Sequence, residues 1–262
     1  MKSYYFISGL PRSGSTLLSS ILRQNPEFYA DIASPVDTLA ESTIDIITSN
    51  FTVIEERRKN LLHGIFDGYY QNIDRPIIFD SSRNWTEKTS LLQALFPYTK
   101  ILCPVRDIVS ILNSFEVLFN KNCFHTKQIN EKVFSENIFE RTQEIFEREV
   151  IKCHLFLKEG YTVNSQMIHF IEYENLCKEP EKTMRGVYEF LEKPYYSHDF
   201  ENVAYSNEWF DMACNVKDLH TVKKRVEYKP PRCVLLPEIV QKYNNMNMEF
   251  WREKITSGIE YK

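Results

Sequence analysis

An α/β fold, in which helices cover both faces of a central parallel sheet to form a three-layer sandwich, is what the sequence predicts. Short apolar runs that end in charged residues, such as 75–80 (RPIIFD) and 99–107 (TKILCPVRD), are typical of buried parallel strands. These runs alternate with segments of helical apolar spacing, which is the order that builds a parallel sheet. The chain has 262 residues, of which 43% are hydrophobic, so we expect a single domain over residues 1–262.

The individual elements follow from the same patterns. Residues 4–8 form an aromatic and β-branched run that reaches Gly9, and the segment from Thr16 has helical spacing until Pro26 stops it. A helix over 130–160, closed by Gly160, is predicted to precede a strand at 167–171. The other predicted elements are strands at 75–80 and 99–107 and helices at 107–119 and 179–194, the last with Pro180 in its first turn.

The composition argues against several classes of protein. The formal net charge is −4, so no overall positive field favours binding to nucleic acid or to an anionic membrane. Six cysteines are scattered without close pairs, which favours reduced thiols and no structural metal. No apolar run approaches the roughly 18 residues that span a bilayer, and the first strand begins too early to leave room for a signal sequence. We therefore expect a cytoplasmic protein without membrane insertion.

The stretch FISGLPRSGSTLL, residues 6–18, is similar to the phosphate-binding pattern GxxxxGK[ST] of nucleoside triphosphatases. Gly9, Gly14 and Thr16 are in register with this pattern, but Ser15 stands at the lysine position. The contact that the lysine makes to the β- and γ-phosphates is therefore missing. What remains is a strand, a turn of exposed backbone N–H groups and a helix N-terminus, which together form a cradle for an anion. Arg12 adds a cation at the tip of the turn.

A second anion site is predicted after the strand at 99–107. Arg106 ends this strand, and Ser114 follows eight residues later, about two turns into the next helix. An Arg at a strand end can also form a structural salt bridge. Here Arg106 occurs together with Ser114, about ninety residues after an anion cradle, and this combination favours a binding role for Arg106.

These segments resemble the 5′-phosphosulfate loop and the 3′-phosphate motif of the sulfotransferases, whose donor is 3′-phosphoadenosine-5′-phosphosulfate (PAPS). Arg12 stands where the family has a basic residue before Ser-Gly-Ser/Thr-Thr, and a donor without a γ-phosphate does not require the missing lysine. A bacterial branch is similar along nearly the whole chain, with the motifs GLPRSGSTLL, SPV, D-x-S-R-x-W, LH-x-V and FWR. The resemblance implies the P-loop-like sulfotransferase fold, PAPS as cofactor and adenosine 3′,5′-bisphosphate (PAP) as product. The acceptor it implies carries a hydroxyl group, or an amine, and is of undefined class.

The resemblance also implies which residues bind the donor. They lie in the loop, in the 3′-phosphate motif, after the strand at 167–171 and in the late basic segment 219–232 (LHTVKKRVEYKPPR), which looks like the family's closing loop. The residues are Pro11, Arg12, Ser13, Gly14, Ser15, Thr16, Arg106, Ser114, Tyr173, Lys223, Lys224 and Arg225. A charge run such as 223–225 can also be a solvated face.

The catalytic residues are less sharply defined by the sequence. Arg12 is the first candidate, because it can stabilise charge on the leaving phosphate. Many family members have a Lys at the end of the second core strand, where this chain has Ser81, and Arg83 could supply that charge. For the general base the resemblance favours the loop after the first helix, and strand-end geometry favours the end of the second strand. The candidates are Asp31, Asp37 and Asp80, each of which could instead be a helix cap or turn residue, with His220 as a further possibility.

The sequence is also compatible with two other functions. A nucleotide or small-molecule kinase would share the strand, loop and helix, although the lysine at position 15 is missing. A non-catalytic homologue that binds the nucleotide would explain Ser81.

Overall fold

The computed structural model describes most of the chain. The described residues are 2–49, 54–122, 128–129, 132–203, 205, 211, 216, 219–230, 232–246 and 248–252, with only the backbone at 128–129 and 132–133.

A five-stranded parallel sheet forms the centre of the molecule. Its strands are β1 (Ser3–Ile7), β2 (Phe28–Ala30), β3 (Ile77–Ser81), β4 (Ile101–Val105) and β7 (Ile168–Glu172), in the order β2-β3-β1-β4-β7. All four pairings are parallel. A two-residue antiparallel pair, β5 (Gln128–Ile129) and β6 (Lys132–Val133), stands apart. The predicted α/β fold with a central parallel sheet is confirmed, and its strand boundaries differ by one or two residues.

Helices cover both faces of the sheet. They are α1 (Ser15–Leu22), α2 (Val36–Thr48), α3 (Glu55–Tyr69), α4 (Thr89–Leu95), α5 (Ile108–Lys121), α6 (Ile138–Ile145), α7 (Ile151–Asn164), α8 (Tyr173–Lys178), α9 (Pro180–Phe190) and α10 (Pro237–Asn244). Side chains alternate along β1, so that Tyr4 and Phe6 enter one core and Tyr5 and Ile7 the other. This two-sided burial explains why the strands are continuous apolar runs.

The helix predicted over 130–160 is shorter at its start and longer at its end. Helix α6 begins at Ile138, a π-helical turn covers Phe146–Val150, and α7 continues to Asn164. Gly160 therefore lies inside a helix and does not close it. A Cβ at this position would lie 2.3 Å from the Thr86 carbonyl oxygen, so glycine is required by the close approach of the 3₁₀ turn Trp85–Lys88.

We expect Gly160→Ala to lower the free energy of unfolding by about 1–3 kcal/mol, because the added methyl group must push the Thr86 backbone away. The matched control is Gly186→Ala in α9, where nothing lies within 4 Å of the new Cβ. The control should be neutral or more stable by about 0.5–1 kcal/mol, since Ala is the better helix former. Urea unfolding of both variants measures the difference, and equal stabilities would contradict the close packing of α7 on this turn.

Candidate functional site

A cleft of about 650 Å³ opens at the edge of the sheet where the parallel strands end. The ends of four strands and the turns that follow them line it: residues 9–12 and 14–16 after β1, 81–84 at the end of β3, Arg106 after β4 and Tyr173 after β7. Ligands bind at this edge of open α/β sheets because the loops converge there. The remaining walls include residues of segments 32–34, 148–153 and 219–229.

The loop between β1 and α1 forms a cradle at one end of the cleft. Gly14 precedes α1 with φ +93°, and Arg12 also has a positive φ of 57°. This backbone turn leads into the first turn of α1, where N–H groups have no intrahelical acceptor and attract an anion. Of the residues predicted to bind the donor here, Pro11, Arg12, Gly14, Ser15 and Thr16 line the cleft.

Ser13 has a structural role that the sequence did not reveal. Its side chain is fully buried, and its hydroxyl group donates to the carbonyl oxygens of Leu10 and Pro104. The hydroxyl therefore fixes the loop to β4, and it is not among the groups that line the cleft. The prediction that the Ser13 side chain binds the donor is corrected accordingly.

Tyr173 connects the cradle to the second predicted anion site. A Cβ on Gly14 would lie 2.6 Å from the Tyr173 ring, so the ring packs directly on the glycine. The guanidinium carbon of Arg106 lies 4.2 Å from the centre of the same ring, and the Arg106 Nε donates to a Glu174 carboxylate oxygen at 3.1 Å. The Arg106 guanidinium group is thus held at its Nε edge by Glu174 and on one face by the Tyr173 ring.

Arg12 crosses the cleft from the cradle to two other elements. Its Nε donates to the Ser114 hydroxyl oxygen at 3.1 Å, and its Nη1 donates to the Leu219 carbonyl oxygen at 2.8 Å. Ser114 and Arg106 both line the cleft. In the structure, however, the hydrogen bond of Ser114 is to Arg12.

The cleft concentrates positive charge. Burial, reinforced by the nearby positive charges of Arg83 and Arg106, lowers the pKa of Arg12 to about 10. Arg12 therefore remains protonated at neutral pH, and like charges face one another in a chain whose net charge is −4. An anion bound among these groups would relieve the repulsion.

The late basic segment places only part of its charge in the cleft. Lys223 and Arg225 line the cleft and Lys224 does not. The segment is held to residues 203–205 by backbone hydrogen bonds, including one from the Val203 N–H to the Lys224 carbonyl oxygen. The prediction that Lys224 binds the donor is corrected, because its side chain lies outside the cleft, where its charge acts on Asp199.

Asp80 is buried beneath the cleft and does not line it. Its carboxylate accepts hydrogen bonds from the Ser34 and Tyr70 hydroxyl groups and from the Trp85 indole N–H, the last at 2.6 Å. Its side chain has no exposed surface, and burial raises the pKa of Asp80. The prediction of Asp80 as general base is corrected, because an acceptor hydroxyl cannot reach the carboxylate.

Asp31 and Asp37 are also engaged elsewhere, and neither lines the cleft. Asp37 is 4% exposed and accepts hydrogen bonds from the Ser82 hydroxyl and the Asn84 amide. Asp31 accepts from the Tyr29 hydroxyl and the Ile32 N–H. As candidate bases these two residues are corrected to carboxylates that order the loops around the cleft.

His220 and Asp211 form a pair in the cleft wall that the sequence reading did not identify. The His220 ring Nδ1 lies 2.8 Å from an Asp211 carboxylate oxygen, which also accepts from the His220 backbone N–H. Asp211 is 6% exposed. Burial lowers the pKa of His220, and Asp211 opposes that shift while Arg12 and Arg83 reinforce it. No motif spacing in the sequence signals this pair.

Glu149 is a second cleft residue that the sequence did not reveal. It lies in the π-helical turn before α7 and is 7% exposed. Its carboxylate is 3.1 Å from an Arg83 guanidinium nitrogen. Arg83 lines the cleft, and its ion pair with Glu149 holds it there.

The described residues contain neither a metal-binding cluster nor a membrane-spanning helix. No group of three or more His, Cys, Asp or Glu residues there is arranged to hold a metal ion. Among the helices of the same residues, none has the length and apolar character of a membrane span.

Comparisons with known proteins point to one family. A model of the "Sulfotransferase family" matches residues 5–197. The fold is similar to that of the sulfotransferase domain from the curacin biosynthetic pathway, with 15% identity, a TM-score of 0.54 and coverage of 100% of this chain and 99% of the other. The fold is also similar to that of a mouse sulfotransferase, SULT7A1 complexed with PAP, with 14% identity and a TM-score of 0.54. That comparison covers 98% of this chain and 85% of the mouse chain. A sulfotransferase from Alicyclobacillus acidocaldarius is 14% identical, with a TM-score of 0.52 and coverage of 82% of this chain and 92% of the other. No curated protein sequence matches the chain.

We expect Tyr70→Phe to lower the free energy of unfolding by about 1–3 kcal/mol, because it removes a hydrogen bond to the buried Asp80 carboxylate. Activity per folded molecule should stay within a few-fold of the wild type, since neither residue lines the cleft. Tyr69→Phe is the matched control on the 47% exposed neighbour and should change stability by less than about 0.5 kcal/mol. If Tyr70→Phe lost turnover without losing stability, Asp80 would again be a candidate for the general base.

Proposed function

Because the chain belongs to the sulfotransferase family, we propose that the cleft binds PAPS and carries the transfer of its sulfuryl group to a hydroxyl-bearing acceptor. The protein is a PAPS-dependent sulfotransferase, and PAP is the nucleotide product. The observation that carries the proposed site is the grouping of Arg12, Arg83 and Arg106 around the cradle at the start of α1. A donor with phosphate groups at both its 3′ and 5′ positions matches separated cations at one sheet edge.

We assign the two ends of the donor to two parts of the cleft. The cradle and Arg12 would hold the 5′-phosphosulfate with backbone N–H groups and a guanidinium group. Arg106 and Ser114 would hold the 3′-phosphate, for which a guanidinium group fixed by Glu174 and Tyr173 is well prepared. The other donor residues would be Tyr173, Lys223 and Arg225, all of which line the cleft.

Charge stabilisation is the main contribution expected from the cleft. In the transfer the acceptor oxygen bonds to sulfur, the bond from sulfur to the 5′-phosphate oxygen breaks, and negative charge develops on that oxygen. Arg12 would stabilise this charge in a partly buried site, where a preorganised cation is most effective. Arg83, two residues beyond Ser81, would supply the charge that the family's lysine gives at the strand end.

His220 is our choice for the general base. It lines the cleft, and the lowered pKa keeps its ring neutral, as a proton acceptor must be. With Nδ1 protonated and bonded to Asp211, Nε2 would be the atom that takes the acceptor proton. Asp211 would then stabilise the charged ring.

Both rival functions are less well supported. A kinase would need the lysine that Ser15 replaces in the cradle. A non-catalytic homologue would need only the nucleotide site, whereas this cleft also has a histidine–aspartate pair and a further cation, Arg83, beside it.

The test of the proposed function is ligand binding by the wild type and by Arg106→Ala. PAP should stabilise the wild type against thermal unfolding, and ATP with Mg²⁺ should not. Arg106→Ala should weaken PAP by about 1.5–3 kcal/mol and AMP far less, because a charge-assisted contact to the 3′-phosphate is lost. Calorimetry with both nucleotides measures the difference. Equal losses would show that Arg106 does not contact the 3′-phosphate, and stabilisation by ATP with Mg²⁺ alone would favour a kinase.

We expect His220→Asn to lower kcat by about 10²- to 10⁴-fold while PAP affinity stays within a few-fold, as for loss of a general base. The group must be neutral to act, so kcat/KM should fall as the pH decreases through the His220 pKa, below the ordinary value of 6.5. Asp211→Asn removes the influence that raises the His220 pKa and should move the acidic limb of the kcat/KM profile to still lower pH.

A pH–rate profile measures both effects, with His63→Asn, outside the cleft, as control. An unmoved limb in Asp211→Asn would contradict the assignment.

A further inference from the structure

Arg83 lies on the side of the cradle toward which the sulfuryl group of the donor would point. It follows β3, which pairs with β1 on the side opposite to β4, so the cradle after β1 separates Arg83 from Arg106. A donor held by its 3′-phosphate at Arg106 and by its 5′-phosphate in the cradle would extend its sulfuryl group toward Arg83. The charge of Arg83 lowers the pKa of both Arg12 and His220. Its guanidinium group therefore acts on both side chains that we assign to the reaction.

Two features oppose a fixed position of the Arg83 side chain. The side chain is 44% exposed, and the nearby positive charge of Arg12 repels it. A long side chain also loses rotamer freedom when it is held in one place. A cation that stabilises the sulfuryl group must nevertheless be in position before the reaction starts. Arg83 therefore depends on contacts that fix its guanidinium group, which Glu149 provides, and on contacts that fix its backbone.

Asp37 holds the backbone turn that carries Arg83. One carboxylate oxygen of Asp37, Oδ2, accepts hydrogen bonds from the Ser82 hydroxyl at 2.7 Å and from the Asn84 side-chain amide at 2.8 Å. Ser82 and Asn84 are the two neighbours of Arg83 in the chain. The Ser82 N–H also donates to the Ile7 carbonyl oxygen at 3.2 Å, which joins the turn to the end of β1. A single oxygen atom thus fixes the turn on both sides of Arg83.

The position of Asp37 makes its effect on Arg83 an indirect one. Asp37 is 4% exposed and does not line the cleft, whereas residues 82–84 do. It lies in the first turn of α2, where a carboxylate also stabilises the helix through the helix dipole. A role confined to the helix would not require the two hydrogen bonds to the turn, and it would leave ligand binding unchanged. The two roles can therefore be separated by experiment.

We propose that Asp37 is a positioning residue for the transfer: by holding the turn 82–84, it presents the Arg83 guanidinium group to the sulfuryl group of PAPS. The inference rests on the proposed function, because it requires PAPS in the cleft with its sulfuryl group beside Arg83. Asp37 acts through Arg83 and contacts neither donor nor acceptor. Its contribution comes from the accepting oxygen atom and not from its negative charge, because both groups that bind this oxygen are uncharged.

The test measures the affinities of PAPS and PAP, which differ by the sulfuryl group, by titration calorimetry without an acceptor. Arg83→Ala should weaken PAPS by about tenfold or more, as for a lost charge-assisted hydrogen bond, and change PAP by less than about twofold. Asp37→Ala should weaken PAPS by at least about threefold and leave PAP within about twofold, since a displaced cation keeps part of its attraction. In the Arg83→Ala background, Asp37→Ala should have no further effect on PAPS, because the group that it positions is absent.

Further variants separate the hydrogen bonds of Asp37 from its charge and from the stability of α2. Asp37→Asn keeps a carbonyl oxygen that can accept both hydrogen bonds, so its PAPS affinity should stay within about twofold of the wild type. Glu41→Ala is the matched control: it removes a carboxylate one turn further along α2, which pairs with Lys88 at 3.3 Å outside the cleft, and should change neither affinity. Urea unfolding checks that each variant is folded. If Asp37→Ala does not fold, Ser82→Ala with Asn84→Ala removes the same two hydrogen bonds and should reproduce the loss of PAPS affinity.

Several outcomes would overturn the inference. It fails if Arg83→Ala weakens PAP as much as PAPS or leaves both unchanged, because Arg83 would then not contact the sulfuryl group. It also fails if folded Asp37→Ala, or the double variant in its place, keeps the wild-type affinity for PAPS. Additive effects of Asp37→Ala and Arg83→Ala, or an equal loss in Asp37→Asn and Asp37→Ala, would likewise contradict it. Failure of the wild type to bind PAP and PAPS would instead overturn the proposed function itself.

Discussion

Repulsion among the guanidinium groups of Arg12, Arg83 and Arg106 is the constraint around which the cleft is built. Each group is held by a partner from a different element: the Leu219 carbonyl for Arg12, Glu149 for Arg83 and Glu174 for Arg106. Without these anchors the cations would turn toward solvent, where screening is stronger. The helices and loops that supply the anchors therefore prepare the site for an anion, and the order of strands in the sheet fixes how far apart the cations stand.

The parts of the structure that the sequence predicted are those with local causes. An apolar run, a glycine turn and an amphipathic segment define β1, the cradle and α1 within about twenty residues, and Arg106 is placed by the strand that precedes it. The role of Asp80 depends on Ser34, Tyr70 and Trp85, which meet only in the folded chain. A strand-end aspartate at the cleft surface and one buried beneath it have the same sequence pattern, so only the packing distinguishes them.

Sequence reasoning missed Glu149 and the pairing of Asp211 with His220. Glu149 faces the cleft from a π-helical turn, which changes the spacing of the helix faces on either side of it. Asp211 and His220 meet across a segment without periodic pattern. The charge run at 223–225 shows the opposite case. The sequence predicted three donor-binding residues there, but Lys223 and Arg225 line the cleft and Lys224 does not.

The hydrogen bond from Arg12 to the Leu219 carbonyl has a consequence for how the two halves of the reaction depend on each other. Leu219 is covalently adjacent to His220, so the cation proposed to bind the donor and the ring proposed to accept the proton are joined by one hydrogen bond and one peptide unit. An anion that draws Arg12 toward itself competes for the same N–H groups. Donor occupancy would thereby be communicated to the proton acceptor through the late segment itself, without any rearrangement of the sheet.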